Sequence, residues 1–571
     1  MVKKLDFILY YGLIVFAFVL PISIAATNIV WVVLLLVWII KIIIKKSENF
    51  YTPLNYPISI FLIITVVFSI FGLNFFKSMK GMNSELLFIV FFIIAINVKD
   101  FQHVKKIAYF FLISSALTGL LGLWQYFSGQ NLYDNVIYGK TANLISMFNF
   151  RAHGTRSWMH TYAEGLLMAL PIGVSFLIYS KKRIIYYFII GLIVSGIVLS
   201  YVRMAWIATV IIFIIMFFIL IRRKKNINLS YLLIPLILIA FSSVFLPKRG
   251  NIIKRAIDFK DPIRINMWKT SVAILKDYPI FGTGMKNIKT IFPEYYEKLG
   301  LDKEYYKLSH LHNTYLHISV ERGILGLIIF LSVFGFYFYY GIRKAKYINN
   351  FEKYFVIGCL LGILGFMITG LTEHVYGDSE VKITAFFLMA LTFYKSKAVF
   401  FDRDGTINED VHYLSNVKDL RIFEKSASAI KLLNDSEFKI IIVTNQSGIA
   451  RGYFTLNDVK EVNEVLVNKL KENNAYVNTV YVCPHHPDEE CFCRKPKPRM
   501  LYAAKRDLNI DLKESYVVGD KQCDIDLAKN INIKSVLVLS GQGENVKGAD
   551  YVAKDILDAA EWIIKNENEK K

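Results

Sequence analysis

The chain has 571 residues, of which 54% are hydrophobic, with 44 Phe, 34 Tyr and a formal net charge of +21; this exceeds one domain and excludes an ordinary water-soluble protein. The charge is unevenly placed, because residues 1–396 carry 41 Lys and Arg against 18 Asp and Glu whereas residues 397–571 carry 26 against 28. A basic surplus confined to an apolar half is accounted for by cytoplasmic loops and lipid headgroups, so membrane lipids are expected partners and nucleic acid is not.

From the N-terminus, apolar runs fall near residues 7–26, 28–44, 57–74, 84–98, 107–127, 161–180, 184–201, 204–221, 229–247, 323–342, 354–373 and 380–394. Each approaches the roughly 20 residues a helix needs to cross a hydrocarbon core. Residues 1–395 are therefore expected to form a polytopic α-helical membrane domain of about 12 spans. The first run lacks a small-residue cleavage site and reads as a retained helix. Cations in the short loops, Lys3/Lys4, Lys41/Lys45/Lys46, Lys99/Lys105/Lys106, Lys181/Lys182/Arg183, Arg222 to Lys225 and Arg343/Lys344/Lys346, fall on one side. The positive-inside rule makes that side the cytoplasm. The N-terminus and the C-terminal domain are then cytoplasmic, and segments 128–160 and 248–322 face outward.

Ionisable residues at the edge of an apolar helix are costly and mark candidate sites. Three stand out: Arg203 in SYVRMAW, Arg264 in DPIRINMW and His312 in HLHNTYLHISVERGILG. Each alone is better read as a solvated boundary residue. In this order around a long outward loop, the three segments resemble the O-antigen ligase and polymerase family. The resemblance implies transfer of a glycan from a polyprenyl pyrophosphate carrier to an acceptor, lipid A–core for the ligases, at a bacterial-type inner membrane. It places Arg203 and Arg264 on the pyrophosphate, where guanidinium forks match phosphate oxygens, and His312 near the acceptor hydroxyl as a proton acceptor. It requires no metal. The segment FRAHGTRSWMHTYAEG departs from the family pattern and leaves Arg156 and His160 as unassigned polar residues; His310 and His317 flank His312, which is preferred because Asn313 follows it.

From Lys397 the pattern changes to short apolar runs, KAVFF, KIIIVT, TVYVC, SYVVGD and KSVLVL, separated by helical stretches. That alternation predicts an α/β, Rossmann-like parallel sheet covered on both faces, with ligands at the carboxyl ends of the strands. Residues 396–571 are assigned to this second domain. A lone Asp-x-Asp is usually a solvated turn, but here four motifs follow in order, each at a strand end. FFDRDGT with VTNQSG, CRKPKP and VVGDKQCD resembles the haloacid dehalogenase superfamily. The resemblance makes Asp402 the nucleophile that takes the phosphoryl group, and Asp404 the acid and later base. Thr444 and Asn445 would hold phosphate oxygens, and Lys495 would neutralise charge. Asp402, Asp520 and the backbone carbonyl of Asp404 would bind Mg²⁺.

CPHHPDEECFCRKP holds Cys483, His485, Cys491 and Cys493, a donor set and spacing suited to a closed, structural tetrahedral Zn²⁺ in the loop 483–493. Cys359 and Cys523 read as packing residues. TNQSGIARG with CPHHP and CRKP resembles the D-glycero-D-manno-heptose 1,7-bisphosphate 7-phosphatases, whose pattern also selects His485 over His486. That resemblance implies heptose bisphosphate as substrate and contacts at Gln446, Ser447, Arg494 and Lys521. Histidinol-phosphatases share the zinc loop but lack IARG, so a histidinol-phosphate or other sugar-phosphate phosphatase anchored by a non-catalytic or transporter membrane domain is the alternative. An ion pump is excluded, because Asp404 would hydrolyse the phosphoenzyme and the segment from Asp402 to Thr444 is too short for a nucleotide-binding insertion.

Overall fold

A computed structural model describes residues 1–45, 50–128, 152–156, 158–221, 262–301, 310–348, 350–542 and 545–570. The chain divides into two compact units. The first takes Met1–Val98, Gln102–Ile342 and Asn350–Phe393, and the second takes Lys99–Phe101, Arg343–Asn349 and Tyr394–Lys571.

The first unit is helical. Among the described residues, seven helices are long and apolar enough to cross a membrane: Ile24–Lys45, Phe75–Asn97, Phe101–Ser128, Met159–Tyr179, Arg203–Ile221, Thr314–Tyr347 and Phe351–Thr369. Asn55–Ile70 and Arg183–Leu199 are shorter apolar helices. The run expected at 380–394 forms the 14-residue helix Ser379–Thr392, only about 21 Å long at 1.5 Å per residue. The run at 229–247 and the cations Arg222 to Lys225 lie outside the described residues. Seven crossings are thus supported by length and composition, against an expectation of about 12.

Met159–Tyr179 lies at the centre of this unit, with residues buried around its whole circumference from Thr161 to Leu177. A helix apolar on every side has no solvated face to present and belongs in a core. The helix Thr314–Tyr347 is broken at Gly323, where φ is +66°. A Cβ there would lie 1.9 Å from the Ile280 carbonyl oxygen, so only glycine lets the chain pass. The break separates a short polar piece, 314–322, from the apolar run that follows.

The second unit is built on a six-stranded parallel sheet of β1 (Ala398–Phe401), β2 (Lys439–Asn445), β3 (Thr479–Cys483), β4 (Tyr516–Gly519), β5 (Lys534–Val538) and β6 (Tyr551–Ala553), in the order β3-β2-β1-β4-β5-β6. Alternate residues point to opposite faces. Val399, Phe401, Ile440, Ile442, Val518 and Val536 pack with Ile430, Leu433, Leu466 and Ile563 from the helices Ser426–Asp435, Leu456–Glu472 and Ile556–Lys570. Phe400, Ile441 and Val517, on the other face, are also fully buried. Both faces being covered explains why the strands read as unbroken apolar runs. The chain winds outward from β1 through β2 to β3 and then returns to the other side of β1, so the switch point lies between β1 and β4, where ligands of such sheets bind.

Candidate functional site

In the second unit, Asp402 follows β1 and Asp520 follows β4, on either side of the switch point. The Asp402 N–H donates to the Val518 carbonyl at 2.9 Å, which fixes the first residue beyond the strand. Gly405 has φ +84°, and a Cβ there would meet Asp520 Oδ2 at 2.3 Å, so the turn needs glycine. Lys495 reaches both Asp402 Oδ1 at 2.8 Å and Asp524 Oδ1 at 2.7 Å. Ligand oxygens of Asp402, Asp520 and Asp524 lie within 4.8 Å of one another, and all three residues are buried. Three buried carboxylates with one lysine leave uncompensated negative charge, which is costly without a cation. Burial pushes the Asp402 carboxyl up to about 6 and the neighbouring Asp524 adds to this, against the pull of Lys495. For Lys495, burial favours loss of the proton, but Asp402 and Asp524 outweigh it and hold the side chain firmly charged.

Asp404 is placed differently from Asp402. Its carboxylate accepts from Arg403 Nε at 2.9 Å, Arg403 Nη2 at 2.8 Å, Asn408 Nδ2 at 2.9 Å and Gln446 Nε2 at 2.9 Å. Burial would raise its pKa, yet these donors and the Arg403 charge bring it below the ordinary value. Arg403 is fully buried and also donates to Asn463 Oδ1 at 3.0 Å. Its role was not legible in the motif, where it is the unremarkable middle residue of Asp-Arg-Asp. Asn445 also has a different partner from the one expected: its side chain accepts from the Lys495 N–H at 3.0 Å and donates to the Lys495 carbonyl at 3.2 Å. It clamps the lysine rather than reserving its amide for phosphate.

A cavity of about 270 Å³ opens over these groups, lined by Asp402, Asp404, Thr444, Asn445, Gln446, Ser447, Arg494, Lys495 and Lys521 among others. All the sequence-selected phosphatase side chains except Asp520 therefore meet around one space. Gln446 donates to Thr444 Oγ1 at 2.7 Å. Lys521 pairs with Asp410 at 2.9 Å, and Arg494 Nη1 is buried without a hydrogen-bond partner. Asp410, His412, Tyr413 and Gln542 also line the space and were missed, since they carry no motif. Cys523, expected to be a packing residue, lines the same wall.

The loop after β3 gathers Cys483, His485, Cys491 and Cys493. Cys483 Sγ lies 3.6 Å from His485 Nδ1 and 3.6 Å from Cys491 Sγ, and Cys493 Sγ lies 3.5 Å, 3.7 Å and 3.2 Å from Cys483, Cys491 and His485 Nδ1. A tetrahedron with metal–sulfur bonds of about 2.3 Å has edges of about 3.7 Å, so the donor set fits zinc. His486 instead faces Asp488 at 3.2 Å.

In the first unit, Glu373 organises the polar centre. Its carboxylate meets Arg264 Nη2 at 2.6 Å, His312 Nδ1 at 2.8 Å and His160 Nε2 at 3.5 Å. Arg264 also donates to the Thr372 carbonyl at 2.9 Å. Asn313 Nδ2 donates to the Leu371 carbonyl at 2.8 Å and Thr314 Oγ1 to the Glu373 carbonyl at 3.0 Å, stapling the segment 371–373 to the turn that holds His312. Burial would raise the Glu373 pKa, but the His312 hydrogen bond and the charges of His160 and Arg264 hold it down to about 2. The three candidate histidines separate cleanly. His312 faces Glu373, the His310 ring lies tilted against that of His312 with centres 4.3 Å apart, and His317 is buried against Glu321 at 3.4 Å with its ring stacked 3.5 Å from that of His374.

Arg156 is buried and pairs with Glu380 at 3.0 Å. Arg203 is exposed at the start of its helix and is not among the residues lining the large cavity here. Arg264, expected on a pyrophosphate, is instead held by Glu373. Glu373 was missed because it belongs to no motif in the sequence.

A family model described as O-antigen ligase matches residues 188–331, and one described as HAD-hydrolase-like matches residues 492–559. A probable D-glycero-D-manno-heptose-1,7-bisphosphate 7-phosphatase of Thermoplasma volcanium is 43% identical over 138 residues, 24% of this chain and 94% of the relative. A D-glycero-beta-D-manno-heptose-1,7-bisphosphate 7-phosphatase of Haemophilus ducreyi is 40% identical over 178 residues, 29% of this chain and 98% of the relative. A crystal structure of D,D-heptose 1,7-bisphosphate phosphatase from B. bronchiseptica, complexed with magnesium and phosphate, is 28% identical over 30% of this chain and 99% of that one, with a TM-score of 0.29. The chain thus joins an O-antigen ligase domain to a haloacid-dehalogenase-type hydrolase domain, and through the latter it belongs to the D-glycero-D-manno-heptose-1,7-bisphosphate 7-phosphatase family.

Proposed function

We propose that the second unit removes the 7-phosphate of D-glycero-D-manno-heptose 1,7-bisphosphate through an aspartyl-phosphate on Asp402. The observation that carries this reading is Asp402 itself, set at the switch point with Lys495 at 2.8 Å and a cavity above it. The Asp402 carboxylate attacks phosphorus, the bond to the 7-oxygen breaks, and the leaving alkoxide takes a proton from Asp404. A water then attacks phosphorus and gives a proton to Asp404, while the bond between phosphorus and the Asp402 oxygen breaks, releasing inorganic phosphate and restoring the carboxylate. Asp404 sits among donors that favour its anion, which suits the second step; for the first, the negative charge of the substrate phosphoryl group favours its protonated form, and Asp404 takes a proton from solvent as substrate binds before passing it to the leaving oxygen. Lys495 neutralises the transferring group; Gln446 and Ser447 line the sugar side. Arg494, with a buried unpartnered nitrogen, and Lys521 offer cations to the second phosphate.

Asp402, Asp520 and the Asp404 carbonyl, with Asp524 beside them, would hold Mg²⁺, which supplies charge neutralisation on the phosphoryl oxygens. Cys483, His485, Cys491 and Cys493 would hold Zn²⁺ and pin the loop that leads to Arg494 and Lys495. ³¹P NMR of heptose 1,7-bisphosphate incubated with the full chain and Mg²⁺ tests the reading. Loss of the 7-phosphate signal with the 1-phosphate retained is expected, and loss of the 1-phosphate would contradict it.

The first unit, in the same reading, transfers glycan from a polyprenyl pyrophosphate carrier to an acceptor such as lipid A–core at the outer face of the inner membrane, with the phosphatase unit in the cytoplasm. What supports this is His312, whose Nδ1 is engaged by Glu373 so that Nε2 is left to accept the acceptor hydroxyl's proton. Arg264 anchors Glu373.

A further inference from the structure

Five of the chain's ten histidines, His160, His310, His312, His317 and His374, line the cavity of about 1110 Å³ in the first unit. The transfer reading uses one of them, whereas imidazole is also a common ligand of divalent transition metals. His317 and His374 are taken up with each other and with Glu321: their rings stack 3.5 Å apart and His317 Nε2 lies 3.4 Å from that carboxylate. His310 and His312 are placed differently. Both are half-buried, with ring centres 4.3 Å apart and planes tilted by 56°.

The local fold brings these two together. At His312 the backbone has φ +46°, a left-handed conformation that a residue with a Cβ keeps only where its surroundings fix it. Here they do so through hydrogen bonds on the residues that follow. The Thr314 N–H donates to the Gly370 carbonyl at 2.8 Å, Asn313 Oδ1 accepts from the Leu316 N–H at 2.9 Å, and Asn313 Nδ2 donates to the Leu371 carbonyl at 2.8 Å. The turn thereby faces the segment that carries Glu373. Ligand atoms of His310, His312 and Glu373 lie within 4.8 Å of one another.

His312 Nδ1 stands 2.8 Å from Glu373 Oε2. Two donors bound at about 2.1 Å to one ion, at right angles, are about 2.9 Å apart, so an ion can replace the proton between them with little movement. Two imidazoles and a carboxylate suit zinc and its first-row neighbours, whereas Mg²⁺ demands oxygen ligands. Three protein ligands leave positions for water. The other Glu373 oxygen is held by Arg264 Nη2 at 2.6 Å, which fixes the carboxylate as supporting hydrogen bonds do in metal sites. The Arg264 charge opposes a dication, so this site is weaker than the four-donor cluster of Cys483, His485, Cys491 and Cys493.

We propose that His310, His312 and Glu373 bind a divalent transition-metal ion of the zinc class, and that its occupancy switches glycan transfer off. The ion takes His312 Nδ1 and Glu373 Oε2, and the proton that joined them leaves to solvent. A neutral ring with metal on Nδ1 carries its one proton on Nε2. Nε2 is the nitrogen assigned to the acceptor hydroxyl's proton, so a metallated His312 no longer accepts it. The ion is an inhibitor, and no step of the transfer passes through it. The switching rests on the transfer reading for the first unit; the metal site does not.

The test uses the full chain in phosphatidylcholine nanodiscs, its cysteine cluster already loaded with zinc, and zinc itself as the probe. Calorimetric titration is expected to show a further zinc bound per chain. Co²⁺ at the same site should give the visible bands of nitrogen and oxygen ligation without a thiolate charge-transfer band. His310→Gln is expected to weaken this binding about a hundredfold or more, beyond the cost of losing a supporting group. His310→Cys should restore it and add the thiolate band, which a misfolded chain would not do. Transfer of a fluorescent glycan from polyprenyl diphosphate to lipid A–core should stop as zinc saturates the wild type and return with EDTA. It should persist in His310→Gln at zinc concentrations that silence the wild type. Absence of the further zinc overturns the proposal, as does binding that His310→Gln leaves unchanged, or undiminished transfer by the zinc-saturated wild type. Zinc bound through His310 by a chain that transfers no glycan under any condition leaves the metal site standing and removes the transfer reading instead.

Discussion

The two units hold their polar centres by opposite means. In the hydrolase unit, Asp402, Thr444 and Asp520 hang from the ends of β1, β2 and β4, strands hydrogen-bonded side by side in one sheet. Backbone register alone brings residues more than 100 positions apart into one cluster. Among the described residues of the membrane unit there is no strand to do this, and a single carboxylate does it: Glu373 collects Arg264, His312 and His160 from three separate segments. A site fixed by backbone pairing survives loss of one side chain as a shape. A site fixed by one carboxylate loses its arrangement with that carboxylate.

The largest expected effect is at Asp402. Asp402→Asn removes the proposed nucleophile while keeping its shape, and phosphate release should fall by about four orders of magnitude, measured by coupled phosphate assay with no loss of melting temperature. Next is Glu373→Gln, which should lower glycan transfer about a hundredfold or more by freeing His312 to turn. Glu373→Asp should recover part of it, a rescue that a purely structural role would not show. If Glu373→Gln transfers normally, the contrast between the units fails.

Cys491→Ser should then remove bound zinc, measured by elemental analysis, and lower phosphatase activity tens of fold, roughly the range seen when a metal's supporting shell is damaged. The loop it loosens runs straight into Arg494 and Lys495. The smallest effect concerns pH. Burial holds the Asp402 carboxyl up to about 6 in the metal-free site, so below that pH a proton must leave before Mg²⁺ can bind. Mg²⁺ affinity, read by calorimetry, should be level above about pH 6 and fall about tenfold per unit below it. A flat profile from pH 5 to 7 would show that Asp402 is ionised throughout.

The same contrast decides what was legible in the sequence. Each phosphatase motif pairs an apolar strand with the polar residues that follow it, so the strand predicts where the side chains go, and the four donors proposed for zinc, Cys483, His485, Cys491 and Cys493, lie within eleven residues. Arg403 and Asp410 were invisible because their importance lies in what they touch, Asp404 and Lys521. In the membrane half, apolar length revealed helices but not which of them stop short, as Ser379–Thr392 does. Glu373 lies 61 residues from His312 with no periodicity joining them. Arg264 read as a phosphate ligand because a guanidinium suits one; only the fold shows that its partner is internal.

The most direct test of the account compares phosphate release by the full chain with Mg²⁺ from heptose 1,7-bisphosphate and from histidinol phosphate, beside the Asp402→Asn variant. Preference for the heptose, abolished in the variant, is the predicted result. Preference for histidinol phosphate, or hydrolysis that persists without Asp402, would contradict it.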